Sequence, residues 1–299
     1  MSRDADLAAE YTLARPRLTR IAYSVLGTRA EAEDVVSDCW LRLVGADSGA
    51  DGPVQDLEAW ATVAVARRAL DVLRSARVRR ESYVGPWLPE PLVEALPASS
   101  AAGDPADRVT LDESVSFALL VVLESLTPAE RTAWVLHELF NVPFEEVAQT
   151  VGRSPAAVRQ LAARARRHVE KHAPRVAVGP GEHAAVVEAF MRAAGTGDLA
   201  LLLTVLDPDV VLTSDGAGVV SAARRPVRGA DRVARFLLGI AAKAGPEQTV
   251  VAALVNGAPG LAVLNNGRPA VIVSLTATGG QIVRVDLVLA PDKLAGVRL

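Results

Sequence analysis

LTPAERTAWVLHELFNVPFEEVAQTVGRSPAAVRQLAARARRHV, residues 126–169, contains three helix starts in close succession. Thr127-Pro128-Ala129-Glu130 is a capping box with proline at the first helical position. Val142-Pro143-Phe144-Glu145 is a second start. Ser154-Pro155 is a third, with Ser154 as cap. The spacing predicts a helix of about eight residues, a turn at Gly152 and a longer basic helix, the arrangement of a helix-turn-helix. In that last helix Val158, Leu161, Ala165 and Val169 share one apolar stripe. Ala156, Gln160, Arg164 and Arg167 fall on the outward face, flanked by Arg153, Arg159 and Arg166. Small residues at the start let such a helix approach base edges, Gln and Arg can bond adenine or guanine in pairs, and further arginines neutralise phosphates. The candidate DNA contacts are therefore Arg153, Ser154, Ala156, Arg159, Gln160, Arg164 and Arg167. A solvated cationic face with no partner is the competing interpretation.

Upstream, residues 4–80 also read as helices. Ala32, Val35, Val36, Cys39, Trp40 and Leu43 recur at three-and-four spacing. The opposite face carries Glu33, Asp34, Ser37, Asp38, Arg42 and an outward Leu41 that a solvated surface does not call for. A Gly/Asp-rich loop (45–56) follows. Trp60, Val63, Leu70 and Leu73 then mark another amphipathic helix, which trails Arg67, Arg68, Arg74, Arg77, Arg79 and Arg80.

The net charge of −3 over 299 residues hides a sharp pattern. Residues 61–80 carry +5 and residues 150–175 carry +6, while 81–149 between them carry −10. Two basic patches point to a polyanionic partner. One cysteine, Cys39, excludes a disulfide framework and a Cys-rich zinc site and suits a reducing compartment. The N-terminus MSRDADLAAE has no signal-peptide pattern, and no stretch reaches the ~18 apolar residues of a membrane span. A soluble cytoplasmic protein with no cofactor, no metal and no membrane partner is expected.

Residues 81–110 contain several prolines and no sustained period, which reads as a linker, although Tyr83, Trp87 and Leu88 are apolar enough to pack on something. After a break at 174–181 the character changes. Helices at about 182–194 and 198–206, a strand at 209–214 and a helix at 230–243 precede the strand-like runs VVAALV, LAVL, AVIVSLTA and IVRVDLVLA. Asn-Gly, Arg-Pro and Gly-Gly turns separate those runs, predicting an antiparallel meander in an α+β domain.

Taken in order, IAYSVLGTRAEAEDVVSDCWLRL (21–43), EAWATVAVARRALDVLRSARVRRE (58–81) and the stretch at 126–169 resemble an extracytoplasmic-function sigma factor of bacterial RNA polymerase. The linker YVGPWLPEPL (83–92) narrows the resemblance to the subfamily with a fused C-terminal SnoaL-like domain, in which a Trp-Leu-Pro-Glu-Pro motif joins the sigma domains. It implies a multidomain chain: two all-α sigma domains (1–80 and 111–175, the second a helix-turn-helix), the linker 81–110, and an α+β SnoaL-like cone at 181–299. It also implies that Glu33, Asp34, Asp38, Leu41 and Arg42 bind core RNA polymerase. Arg67, Arg68, Arg74 and Arg77 would meet the minus-ten element of promoter DNA, where the preceding loop captures a flipped base; that loop is acidic (Asp47, Asp51, Asp56) and holds no stacking aromatic. The helix from Ser154 would read the minus-thirty-five element.

The subfamily also carries an Asp-Gly-Gly-Gly-Lys motif and an Asn-Pro-Asp-Lys-Leu motif. This chain has Asp215-Gly216-Ala217-Gly218-Val219 and Ala290-Pro291-Asp292-Lys293-Leu294 in their place. Loss of the motif's lysine removes one ion-pair partner and puts that loop's borrowed role in doubt. Trp87, Leu88, Pro89, Asp215, Gly216, Pro291, Asp292 and Lys293 are the candidate interdomain-regulatory residues, on the expectation that the C-terminal domain packs on the linker and on both sigma domains. Only five residues follow Leu294, so regulation through a long C-terminal tail is expected to be altered or absent. Catalysis in that domain would need a buried acid–base group. His183 and Asp286 are the candidates, with Asp207 and Asp209 reading as turn formers. The expected function is an alternative sigma factor modulated in cis. The alternatives are a helix-turn-helix regulator gated by a small ligand in the C-terminal domain, or residual enzyme activity there.

Overall fold

The structure, a computed structural model, describes residues 3–47, 53–80, 83–96, 115–173 and 180–299. Asp51, the linker beyond residue 96, the predicted domain start at 111, most of the break at 174–181, and the side chains of Arg79 and Arg80 lie outside the described residues. The chain forms two compact units: residues 1–81 with 122–172, and residues 82–121 with 173–299.

In the first unit α1 (Arg3–Leu26), α2 (Arg29–Asp47) and α3 (Leu57–Arg80) pack together. On α2 the stripe Ala32, Val35, Val36, Cys39 and Leu43 is buried. At about 1.5–3 kcal/mol for each large apolar side chain removed from water, that stripe outweighs anything the acidic face contributes and fixes the helix's rotation. Trp40 departs from the stripe; it is half exposed, tilted against Tyr11 with ring centroids 5.2 Å apart. Small buried residues on α3 (Ala61, Ala66, Ala69, Ala76) let the helices approach closely. The loop acids are structural: Asp47 pairs with Arg3 at 2.6 Å, and Asp56 accepts the Ala59 amide at 2.9 Å as a helix cap.

The boundary between the units falls within α4 (Phe117–Leu123). Beyond it the capping box forms: Thr127 Oγ1 accepts the Glu130 N–H at 3.3 Å and starts α5 (Pro128–Trp134), which continues as a π-helical turn (Val135–Leu139). α6 (Phe144–Val151) ends at Gly152, whose φ of 71° is the left-handed cap glycine favours. α7 (Pro155–His172) follows, with Ser154 Oγ accepting the Ala157 amide at 3.3 Å.

In the second unit α8 (Pro180–Thr196), α9 (Leu199–Val205) and α10 (Ala230–Ala241) back a seven-stranded sheet ordered β1-β4-β5-β6-β7-β2-β3. Its strands are β1 (Val93–Ala95), β2 (Leu206–Asp215), β3 (Val227–Arg228), β4 (Gln248–Val255), β5 (Ala258–Asn265), β6 (Arg268–Thr278) and β7 (Gln281–Val288). This is the α+β architecture expected of the C-terminal half. Asn256-Gly257, Asn266-Gly267 and Gly279-Gly280 all have positive φ, as two-residue hairpin turns between right-twisted strands require. Two expectations are corrected. Arg268-Pro269 opens β6 instead of forming a turn, beside a register shift that excuses proline's missing N–H. The sheet is mixed: β2 pairs parallel with β7, because the long connection through α10 lets the chain return in the same direction.

The two faces of the sheet bury different things. Leu212, Leu261, Val273, Leu275, Val285 and Leu287 face the helices and pack with Phe190 and Val233. Ala253, Ala262, Ile272 and Val288 face the other way, against Leu88, Phe117, Leu294 and Val297. The linker is therefore part of the second unit's core. β1 extends the sheet edge at β4, with Val93 opposite Val255.

Candidate functional site

On α7 the predicted buried stripe is buried, and Ala156, Gln160, Arg164 and Arg167 are exposed. The arginines divide into two sets. Arg159 pairs with Glu145 at 3.2 Å and lies over the Phe144 ring, Arg164 pairs with Glu130 at 3.0 Å, and Arg166 with Glu138 at 2.5 Å. Among the described residues Arg153, Gln160 and Arg167 have no such partner, and together with Ala156 they run along one side of the helix. Burial raises the Glu130 carboxyl, but the Thr127 hydroxyl and Arg164 outweigh it and leave that group below the usual carboxylate range.

On α3 the basic residues are also engaged. Arg68 meets Asp38 at 3.5 Å and Arg74 meets Asp71 at 3.4 Å, both weak exposed pairs. Arg67 and Arg77 instead donate to backbone carbonyls of the helix-turn-helix half: Gln149 at 2.6 Å and Leu126 at 3.1 Å.

The candidate polymerase face stands as expected in exposure. Glu33, Asp34, Asp38, Leu41 and Arg42 are exposed on α2, Leu41 at 71% and joined by Val44 and by Leu13 of α1 at 83%. Beside them lies a groove of about 380 Å³ between α1 and α2, lined by Tyr11, Thr12, Arg15, Ser37 and Trp40. Trp40 is thus both packing and surface.

The interdomain-regulatory candidates largely converge within the second unit. Asp215, at the end of β2, is fully buried. One oxygen accepts the Tyr83 hydroxyl at 2.5 Å; the other accepts the Leu88 N–H at 2.8 Å and the Lys293 ammonium at 2.6 Å. Lys293, in α11 (Pro291–Leu294), also donates to the Leu88 carbonyl at 2.5 Å and sits 4.1 Å from the centre of the Trp87 ring. The ion pair thus holds both backbone groups of one linker residue. The lysine missing at Val219 leaves no orphan, because Lys293 supplies the charge that Asp215 needs. Gly216 has no room for a side chain, since a Cβ there would run into the Val220 carbonyl. Ala217 holds a φ of 54°, which glycine at the motif's corresponding position adopts without strain. Of the remaining candidates, Pro89 is buried next to Leu88, Pro291 starts α11, and Asp292 is exposed, outside the Asp215–Lys293 cluster.

Sequence reasoning missed Asn256. Its N–H donates to the Leu92 carbonyl, its Oδ1 accepts the Leu92 N–H at 3.1 Å, and its Nδ2 donates to the Val115 carbonyl. An Asn-Gly turn signals a hairpin, and nothing in it signals this second task.

The acid–base candidates are structural. Asp286 lies on the sheet face turned away from α8–α10, held by Arg284 at 2.6 and 2.7 Å; burial pushes its carboxyl up against the pull of that guanidinium. His183 meets the Leu275 carbonyl at 3.0 Å, so Nε2 carries the proton, and burial lowers its basicity. The Asp209 N–H donates to Asp207, the turn expected there.

Residues 11–79 match Sigma-70 region 2 and residues 116–169 match Sigma-70 region 4. The chain is 41% identical over 300 residues to ECF RNA polymerase sigma factor SigJ of Mycobacterium tuberculosis, covering 96% of this chain and 93% of the relative. Probable ECF RNA polymerase sigma factor SigI of the same organism is 36% identical over 301 residues, covering 100% and 98%. The crystal structure of Mycobacterium tuberculosis SigJ superposes with a TM-score of 0.77 at 38% identity, over 98% of this chain and 99% of that one. With a likeness that runs from end to end, the chain belongs to the extracytoplasmic-function sigma factors, the subunits that give core RNA polymerase its promoter specificity.

Proposed function

We propose that the C-terminal domain modulates this sigma factor in cis, by holding the linker between regions 2 and 4 in one conformation. The observation that carries this is the double grip of Asp215–Lys293 on the Leu88 backbone, supported by the β1–β4 strand pairing. A linker built into a folded sheet cannot change its span, and the span decides whether two DNA contacts in one chain act together. The test is run-off transcription with core polymerase, comparing wild type with Trp87→Ala and Lys293→Met. Promoter-specific output should change in both while folding is retained. Output equal to wild type from both folded variants sinks the proposal.

The same proposal gives base reading to Gln160 and Arg167, with Arg153 on phosphate, since these side chains are uncommitted on α7. Glu33, Asp34, Asp38, Leu41 and Arg42 would grip the polymerase, where the α1–α2 groove and exposed leucines suit a mixed polar–apolar partner. A small ligand of the C-terminal domain has room in a cavity of about 310 Å³ bounded by Val84, Gly85, Ser214, Gly216, Val220 and Arg224, next to the Tyr83–Asp215 contact. A ligand that acts there raises the melting temperature of wild type and not of a Gly85→Trp variant.

A further inference from the structure

Within the first unit, regions 2 and 4 touch through a repeated motif: an arginine of one region lands on a helix-end carbonyl or turn carbonyl of the other. Arg17 of α1 donates to Phe140 at 3.2 Å, Arg67 of α3 to Gln149 near the end of α6, and Arg77 to Leu126. In the reverse direction, Arg131 of α5 reaches the Ser24 carbonyl at 3.1 Å, in the last turn of α1, while pairing with Glu124. Such carbonyls lack partners within their own helix and carry the negative end of its dipole, so a guanidinium is well suited to them. The Phe140 ring completes the contact, with the Arg17 and Arg20 guanidiniums 6.0 and 5.9 Å from its centre.

The apolar share of this contact is small. Ile21 and Ala66 are the region 2 members of the buried cluster whose other members belong to region 4. A cleft of about 230 Å³ remains open between Arg17, Glu58 and Thr62 on one side and Asn141, Pro143 and Glu146 on the other. Arg67 and Arg77 are at the same time two of the guanidiniums assigned to promoter phosphates.

We propose that this face of region 2 is an acceptor-binding surface with two competing occupants, the helix-end carbonyls of region 4 in the free chain and promoter DNA in the transcribing complex. The inference rests on the reading of α3 and α7 as contacts to the minus-ten and minus-thirty-five elements. Those elements lie about 25 base pairs apart, about 85 Å at 3.4 Å per base pair. A compact unit of about 130 residues is about 40 Å across. The clasped unit is too small to meet both elements, so the clasp opens when both are bound.

The test uses the full chain carrying donor and acceptor dyes at exposed Ala9→Cys and Lys171→Cys, Cys39 being buried. Energy transfer is read in the free chain and in the promoter complex with core polymerase, in preparations that yield a specific run-off transcript. High transfer in the free chain, its loss in the transcribing complex, and a reduced free-chain value in Phe140→Ala are the expected results. Transfer equally high in free chain and transcribing complex, low transfer in the free chain, or no change in Phe140→Ala overturns the clasp. Because transcription is scored in the same samples, the sigma reading survives or fails separately.

Discussion

At Leu88 a fully buried ion pair, Asp215–Lys293, binds an N–H and a C=O of the linker at once, within a sheet and an apolar core that the linker itself helps to build. Regions 2 and 4 meet on different terms. Their contact is made of arginines on carbonyls, two of them (Arg67 and Arg77) from exposed positions, beside a cleft that is not filled. Buried, fully bonded charge is costly to separate, because parting the pair strands each ion in low dielectric. Guanidiniums at the surface exchange a carbonyl for water or phosphate with little penalty. The first joint is built to stay closed and the second to open.

The largest expected effect tests the first joint. Lys293→Met leaves Asp215 buried without its counter-charge and should lower stability by about 3–5 kcal/mol. Asp215→Ala combined with Lys293→Met should lose clearly less than the two single losses added. Thermal melts of the four proteins check this; additive losses would show that the pair is not coupled. Next comes Arg131→Met, expected to cost about 2–3 kcal/mol, less because its partner Glu124 is partly exposed. A loss as large as that of Lys293→Met would erase the distinction between the joints.

Asn256→Ala should cost about 2 kcal/mol and unprotect the Leu92 amide to hydrogen exchange, since one side chain satisfies two backbone groups from a left-handed position. Ala217→Gly should stabilise by about 1 kcal/mol, by relieving a positive φ in the loop beside Asp215. The smallest effect belongs to region 4. Glu130 has its pKa depressed by folding, so its contribution is present above the ordinary glutamate pKa and is lost as pH falls through the folded value. Melting profiles against pH should be flatter at the acid end in Glu130→Gln.

Helical periodicity carried the first unit's elements into view. Val158, Leu161, Ala165 and Val169 repeat every three or four residues, and the capping residues stand where their helices start. The exposed face of α2 followed from the same repeat, Trp40 excepted, because an apolar residue at the edge of a stripe can lie on either side. The joints were harder. β1 is three residues long among prolines, too short for alternation to register, although Pro91 shortly before a Val-Glu pair is a faint mark of an edge strand. Asp215 and Lys293 are separated by 78 positions, and no spacing rule links residues in different elements. The linker's aromatics pointed to an unnamed packing partner; the structure supplies the strand and the ion pair.

The linker's membership of the second unit bears on how this chain can be recombined. Cut after Ala173, the molecule would not lose one domain cleanly. Residues 83–121 would be left without their sheet, as a tether of roughly 40 residues whose ends wander over about 35 Å. A chimera that borrows the C-terminal domain of another family member must therefore borrow residues 83–121 with it. The portable module is a discontinuous one, inserted partly between the two DNA-binding regions and partly behind them, and its two pieces are expected to change together.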